Sequence, residues 1–133
     1  ASKDSRFASY LTEGRAFGPH GKDLVIANSI DRYDDALSRE LTERTVRANI
    51  AVRDLGFKPY IAPALSSAAL SILLTLRGEW HYGSLYLGTR ERGAFLGMKN
   101  RLTKGGWEWE DLDLPEELYE RIRNAYENLC EIR

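Results

Sequence analysis

The segment that most constrains the fold is the C-terminal one, DLPEELYERIRNAYENLCEIR at residues 113–133. Pro115 suits a first helical turn, and Asp113 is available to cap it. A helix with a single apolar face must bury that face, so this segment predicts an amphipathic helix packed against a core. The apolar residues recur at spacings of four, three, four and three: Leu118, Ile122, Ala125, Leu129 and Ile132.

Two further segments predict helices with different surroundings. From Asp31 to Leu55 an apolar stripe runs beside a charged face, which predicts one long, half-exposed helix that ends at Gly56. From Ala64 to Leu76 the chain is apolar nearly all round, and this pattern is typical of a helix buried on most sides.

The region that follows these helices predicts strands. Residues Trp80 to Gly88 alternate in character and are rich in aromatic side chains, so we expect a strand that pairs with Ala94–Met98 in a hairpin. The alternative is a helix from Arg90 to Leu102. The glycines at positions 93 and 97 weaken that helix by about 1 kcal/mol each.

The fold predicted from these patterns is a single α+β domain over residues 1–133. Three main helices pack on a small antiparallel sheet, and Asp23–Ala27 supplies a short buried strand after a loop at Gly14–Lys22. A chain of 133 residues has the size of one ordinary domain.

The composition excludes several classes of protein. With 43% hydrophobic residues, 29% charged residues and a net charge of −1, the chain is typical of a globular protein without a global field for nucleic acid or membranes. The single cysteine, Cys130, excludes an intrachain disulfide and a multi-cysteine zinc site. The use of one cysteine favours a reducing compartment, so we expect a cytoplasmic protein. We expect no membrane contact, because the longest apolar stretch is too short to span a bilayer.

Residues 78–110 have the most unusual composition. They contain all three tryptophans, six of the fourteen aromatic residues and seven of the eleven glycines. Aromatic residues and arginine are the side chains enriched at the centres of protein interfaces. We therefore predict that this segment contains an interaction surface, with Trp80, Tyr86, Trp107 and Trp109 as anchors and Arg90, Arg92 and Arg101 around them.

Charges in the same region are segregated along the chain. Residues 88–106 carry five basic side chains and one acid, whereas residues 108–120 carry seven acids and no basic residue. Three interpretations follow. The basic aromatic segment binds single-stranded nucleic acid, the two lobes meet across a subunit interface, or the tryptophans are core residues and the charges cancel within one chain. The acidic run disfavours nucleic acid, because it repels phosphates within a Debye length.

A second nucleic-acid signal lies in residues 37–57. Arg44-Thr45-Val46, with Ile50 and then Leu55-Gly56-Phe57, resembles the recognition helix of winged helix-turn-helix regulators. The segment between Leu41 and Arg44 is two residues shorter than the turn of that family, and the interval before Gly56 is one residue shorter. The resemblance implies that Arg44, Thr45, Arg47 and Asn49 face the major groove of DNA.

The two histidines are the candidates for catalysis. His20 is close in sequence to Asp23, and His81 lies among Trp80, Tyr82 and Tyr86. Neither histidine has the spacing of a metal motif, so we predict no metal and no cofactor. A catalytic role for either residue requires a pocket around it.

The chain contains no complete catalytic motif. Our leading hypothesis is therefore a small intracellular interaction or accessory module, either self-associating or a small subunit of a larger complex, rather than an enzyme. The alternatives are a nucleic-acid-binding protein and a small enzyme with a site at His81 or His20.

Overall fold

The protein is described by a computed structural model that covers residues 4–56 and 62–132, with only the backbone described for residues 62–65. A 3₁₀ turn at Ser5–Phe7 precedes the first helix. The helices are α1 (Tyr10–Glu13), α2 (Asp35–Val46), α3 (Ala48–Asp54), α4 (Ala62–Arg77) and α5 (Glu116–Cys130). The strands are β1 (Arg15–Phe17), β2 (Val25–Ala27), β3 (His81–Gly88), β4 (Gly93–Thr103) and β5 (Gly106–Trp109).

The described elements form an α+β fold with two antiparallel sheets, which confirms the predicted fold class. Strand β1 pairs with β2, so that Arg15 lies opposite Ala27. All three residues of β2 are buried because α2 and α5 pack against this strand. The predicted buried strand at 23–27 is thus present. The expected loop at 14–22 is wrong in part, since β1 lies within it.

The second sheet has the order β3-β4-β5, and it confirms the predicted hairpin rather than a helix at 90–102. His81 lies opposite Asn100, which in turn lies opposite Trp109. The two sheets approach closely where the Gly18 amide donates to the Gly97 carbonyl at 2.9 Å. A Cβ at position 97 would lie 2.6 Å from the Gly18 carbonyl oxygen, so only glycine fits this contact.

The apolar core lies between the β1–β2 sheet and α5. One cluster contains Leu118 and Ala125 of α5 together with the strand residues Phe17, Val25 and Ala27. Its centre is Leu118, whose exposed fraction is 0%. The amphipathic stripe predicted for the last helix therefore faces the core in its first half, whereas Ile132 at its end is 74% exposed.

A buried polar network fixes the start of α2. The backbone N–H of Asn28 donates to Ser38 Oγ at 3.0 Å. The side-chain oxygen Oδ1 of Asn28 accepts from Ser38 Oγ at 2.9 Å and from the backbone N–H of Asp34 at 2.9 Å. Asp34 caps the helix by accepting from the Leu37 amide. Because these buried polar groups find partners in one another, they do not carry the cost of unpaired burial.

Three details of the predicted helices are wrong. The long helix expected over residues 31–55 begins at Asp35 and is interrupted at Arg47, where the backbone has φ −91° and ψ 0°. Asp113 does not cap α5, because Pro115 is its N-cap residue and no side chain caps the helix. The third difference concerns the burial of α4.

Helix α4 is present as predicted, but it is not buried. Between residues 66 and 77 no side chain is buried, and only Ser71, Leu74 and Thr75 are half-buried. Helical periodicity reports which residues share a face, but not whether a neighbouring element covers that face. The four most prominent apolar side chains remain exposed by 41–79%: Leu70, Ile72, Leu73 and Leu76.

The core position of Leu118 makes it the first test of the fold. We expect Leu118→Ala to lower the free energy of unfolding by about 2–5 kcal/mol, since it removes buried methyl groups and leaves a cavity. Urea denaturation followed by circular dichroism measures the change. The matched control Glu117→Ala, at an exposed position of the same helix, should change this free energy by less than about 0.5 kcal/mol. Equal effects of the two substitutions would contradict the position of the core.

Candidate functional site

The tryptophans of the predicted interaction surface lie at the surface of the chain. Exposed fractions are 38% for Trp80, 48% for Trp107 and 55% for Trp109. Tyr86 is 46% exposed and contacts Phe95 edge to face, with ring centroids 5.4 Å apart. We call Tyr86, Phe95, Trp107 and Trp109, which line one shallow pocket, the aromatic surface.

Most of the arginines predicted around this surface are paired inside the chain. Arg101 Nη2 lies 2.7 Å from the Glu108 carboxylate, and its guanidinium carbon lies 4.6 Å from the centroid of Trp80. Arg92 pairs with Glu127 of α5. Arg90 is exposed and has no ion pair with any residue in 4–56 or 62–132. The basic and acidic lobes therefore meet within one chain through Arg101 and Glu108, while the aromatic side chains beside them stay exposed.

His81 is enclosed by its neighbours. Its side chain is 8% exposed. The ring lies between the Thr75 hydroxyl, 3.0 Å from Nε2, and the Glu79 carbonyl, 3.1 Å from Nδ1. These contacts tie the end of α4 to the start of β3.

His20 lies on an exposed loop between β1 and β2 and borders a cavity of about 490 Å³. Gly18 and Gly21 flank it with φ angles of +87° and +107°, in the left-handed region that favours glycine. The cavity has a largely apolar lining that includes Phe17, Leu24, Tyr82 and Met98. The predicted neighbour Asp23 instead accepts a hydrogen bond from Asn128 Nδ2 at 3.0 Å. Of the two histidines, His20 meets the requirement for a pocket.

The residues of the helix-turn-helix resemblance do not share one helix. Arg44 and Thr45 lie on α2, Arg47 lies at the break, and Asn49 lies on α3. A helix-turn-helix joins its helices by a turn of three or four residues, whereas one residue separates α2 from α3. Arg44 pairs with Glu40, and Arg47 pairs with Glu43. Phe57 lies outside the described residues, and the nucleic-acid interface stays a prediction.

An ion cluster holds β1, β4 and the end of β5 together beside the cavity at His20. Glu110 accepts from Arg15 Nε at 2.5 Å and Nη2 at 3.0 Å, and from Lys99 Nζ at 2.8 Å. Partial burial raises the pKa of Glu110, but the hydrogen bonds and charges of Arg15 and Lys99 outweigh burial and lower its pKa overall. The same bonds raise the pKa of Arg15.

The described residues contain neither a cluster of metal ligands nor a membrane-spanning helix. No group of three or more histidine, cysteine, aspartate or glutamate side chains in residues 4–56 and 62–132 is arranged to hold a metal ion. Among the helices of these two ranges, none combines the length and apolar character that a bilayer crossing requires.

Sequence reasoning missed the exposed apolar face of α4, which we define as Leu70, Ile72, Leu73 and Leu76. Four neighbouring apolar side chains on one exposed helix differ from apolar residues scattered singly over a surface. Clustered exposed apolar side chains occur at protein and membrane contacts and in ligand-binding grooves. The apolar composition of the segment was visible in the sequence, but composition predicted the opposite location for it.

Comparisons with known proteins identify a fold but no family. No family model matches the chain, and no curated protein matches it. Among solved structures, the chain is similar to malate dehydrogenase from Archaeoglobus fulgidus in complex with NADH, with a TM-score of 0.58 and 22% identity. The match covers 93% of this chain and 46% of that chain, so the present chain spans about half the length of that dehydrogenase. This likeness shows a shared fold.

The ion cluster around Glu110 generates a prediction about pH. Because folding lowers the pKa of Glu110, its contribution to stability is complete above the ordinary value of 4.5 and is lost as pH falls through the lower folded value. At pH 7 we expect Glu110→Gln to lower the free energy of unfolding by about 1–3 kcal/mol. The difference from the wild type should shrink in acid, as denaturation at a series of pH values would measure.

The control for this experiment is Glu91→Gln, which changes the net charge equally at an exposed position without an ion pair in the described part of the chain. We expect it to leave the free energy of unfolding unchanged. If Glu110→Gln behaved like Glu91→Gln at pH 7, the cluster would not stabilise the fold.

Proposed function

We propose that this chain is one part of a larger oxidoreductase assembly, in which it packs through α4 against a protein part that binds NAD(H). In this assembly the cavity beside His20 receives a small hydroxy acid or oxo acid. The observation that carries the proposal is the apolar face of α4, because a helix of this composition needs a cover that the described residues do not supply. The cover belongs to another chain or to further residues of the same polypeptide.

The free energy gained by burying apolar side chains supports the proposal that another protein surface covers α4. Moving one leucine or isoleucine side chain from water into a packed interface contributes about 1.5–3 kcal/mol. Four such side chains lie exposed on α4. The favourable burial of these side chains is one reason to propose, as the sequence already suggested, that the chain is a subunit of a larger complex.

The fold comparison supports the choice of occupant. The similar dehydrogenase was solved with NADH, and the part matched by this chain is 46% of it. The remaining half of such an enzyme is the natural source of a surface that covers α4. A nicotinamide cofactor performs hydride transfer, so the assembly we propose carries out a redox reaction on a small substrate.

His20 supports the chemical half of the proposal. If a nicotinamide cofactor removed a hydride from the carbinol carbon of a hydroxy acid, a base would have to accept the proton of the hydroxyl group. A histidine at the edge of a cavity suits this role, because imidazole is the side chain that most often serves as a general base in enzymes. In the reverse direction the protonated imidazole returns that proton to the oxygen of the oxo acid.

The aromatic surface supports a second contact in the same assembly. Its four side chains are exposed by 46–65%, and aromatic residues are common anchors of interfaces. Three of its residues, Tyr86, Trp107 and Trp109, belong to the interaction surface predicted from the sequence, and in this proposal they extend the contact of α4.

The docking role of α4 is tested with the isolated chain. We expect the wild type to self-associate in sedimentation velocity and to enhance the fluorescence of an apolar dye, because α4 lacks its cover. The double variant Ile72→Glu, Leu76→Glu should remove both effects and keep the circular dichroism spectrum. The control Leu11→Glu changes another exposed leucine, on α1, and should leave both effects in place. A wild-type chain that is monomeric and does not bind the dye would contradict the docking role.

The role of His20 is tested by magnetic resonance, since the chain has only two histidines. We expect malate or oxaloacetate to shift the imidazole signals of His20 and to leave those of the enclosed His81 unchanged. In an assembly purified through a tag on this chain, NADH oxidation by oxaloacetate at 340 nm should fall about 100-fold or more with His20→Asn. Unchanged His20 signals together with undiminished activity of the variant would refute the proposal.

A further inference from the structure

A groove between α2 and α5 has the features of an anion site. Its volume is about 530 Å³, and four basic but only two acidic side chains line it. We propose that this groove binds an oxyanion, the phosphate or carboxylate group of a small molecule. The inference is independent of the function proposed above, because it concerns other residues on other elements. The basic residues are Lys22, Arg39, Arg47 and Arg121, and the acids are Asp23 and Glu43.

Arg121 provides the main reason for the proposal. Its side chain is 11% exposed, and it donates to neutral oxygens: Tyr33 Oη at 2.9 Å, Thr42 Oγ1 at 3.1 Å and the Ile26 carbonyl at 3.5 Å. The carboxylate paired with it, Asp35, is 3.8 Å away, longer than a hydrogen bond. Burying a guanidinium with a weakly matched countercharge is costly, and a bound anion relieves that cost.

Asp35 is already engaged by other groups. It accepts from Arg39 Nε at 2.6 Å and from Tyr33 Oη at 2.7 Å. Partial burial raises the pKa of Asp35, but these two hydrogen bonds outweigh burial and lower it overall, so the carboxylate is charged near neutral pH. The Asp35 carboxylate therefore pairs with two guanidinium groups, those of Arg39 and Arg121. This side of the groove carries more positive than negative charge as a result.

The donors left on Arg121 have the right arrangement for an oxyanion. A guanidinium has five N–H donors, and the three hydrogen bonds above occupy both hydrogens of Nη1 and one of Nη2. Within residues 4–56 and 62–132, Nε–H and one N–H of Nη2 have no acceptor. When an Nε–H and an Nη2–H of arginine point to the same side, they bind the two oxygens of a carboxylate or phosphate in parallel.

Lys22 adds a second available cation at the edge of the groove. It is exposed and forms no ion pair in the described part of the chain, whereas Arg47 is paired with Glu43 at 3.0 Å. The other acid of the groove, Asp23, is held by Asn128 Nδ2 at 3.0 Å. Arg121 and Lys22 together thus present positive charge in a chain whose net charge is −1.

The site is tested by titrating the labelled chain with inorganic phosphate and, separately, with malonate, against sodium chloride at equal ionic strength. We expect saturable shifts of the backbone signals of Thr42, Asn124 and Asn128 with at least one of the two anions. Phosphate and malonate distinguish a phosphate from a carboxylate ligand. Lys22→Glu should weaken the binding about tenfold, since it replaces an attractive charge by a repulsive one.

The matched control is Lys104→Glu, an exposed lysine on the turn between β4 and β5. It changes the net charge by the same amount, so its affinity for the anion should stay within about twofold of the wild type. A second variant, Arg121→Lys, keeps the charge but loses the planar pair of donors, and it should also weaken binding while thermal unfolding confirms that it folds. The proposal is overturned if neither anion gives saturable shifts by about 10 mM, or if both glutamate variants weaken binding equally.

Discussion

The packing of α5 is the interaction on which the rest of the structure depends. Leu118 and Ala125 pack against the β1–β2 sheet, and beside them Arg121 donates a hydrogen bond to the Ile26 carbonyl. Further along the same helix, the Tyr126 hydroxyl donates to the Leu87 carbonyl of β3 at 3.0 Å. One amphipathic helix thus contacts both sheets. The β1–β2 sheet has only two strands, too few for stability without packing against another element.

The close approach of the two sheets adds a second constraint. The hydrogen bond from Gly18 to Gly97 places the loop of His20 beside β4, so the cavity at His20 has walls from both sheets. The ion cluster of Glu110, Arg15 and Lys99 closes the same junction at another point. The proposed substrate cavity is therefore a consequence of sheet packing, and its shape depends on two glycines that allow the backbones to meet.

Charged and apolar side chains differ in whether they find partners within the described residues. Most of the charged residues considered for a binding role, such as Arg92 and Arg101, already have partners within the chain. The apolar residues of α4 and the aromatic surface do not have cover in the described residues. This difference is the reason we propose contacts with a protein rather than with nucleic acid. In the groove between α2 and α5, Arg121 has only a distant carboxylate and Lys22 has no ion pair within the described residues, and this is the reason for the proposed anion groove.

The sequence by itself determined local structure, because periodicity is a local property. The spacing in α5 predicted both the helix and its buried face, and the alternation from Trp80 predicted the hairpin. The sequence also directed attention to His20 and to the exposed tryptophans.

Burial, by contrast, depends on which elements meet: α4 has the composition of a core helix, yet only a narrow strip of it contacts the sheet. Pairing of Arg101 with Glu108 follows from strand register, and the sharing of Asp35 by Arg39 and Arg121 follows from the position of α5 against α2. Burial and ion pairing are therefore determined by the tertiary structure, because the free energy of a charge or an apolar side chain depends on its neighbours in space.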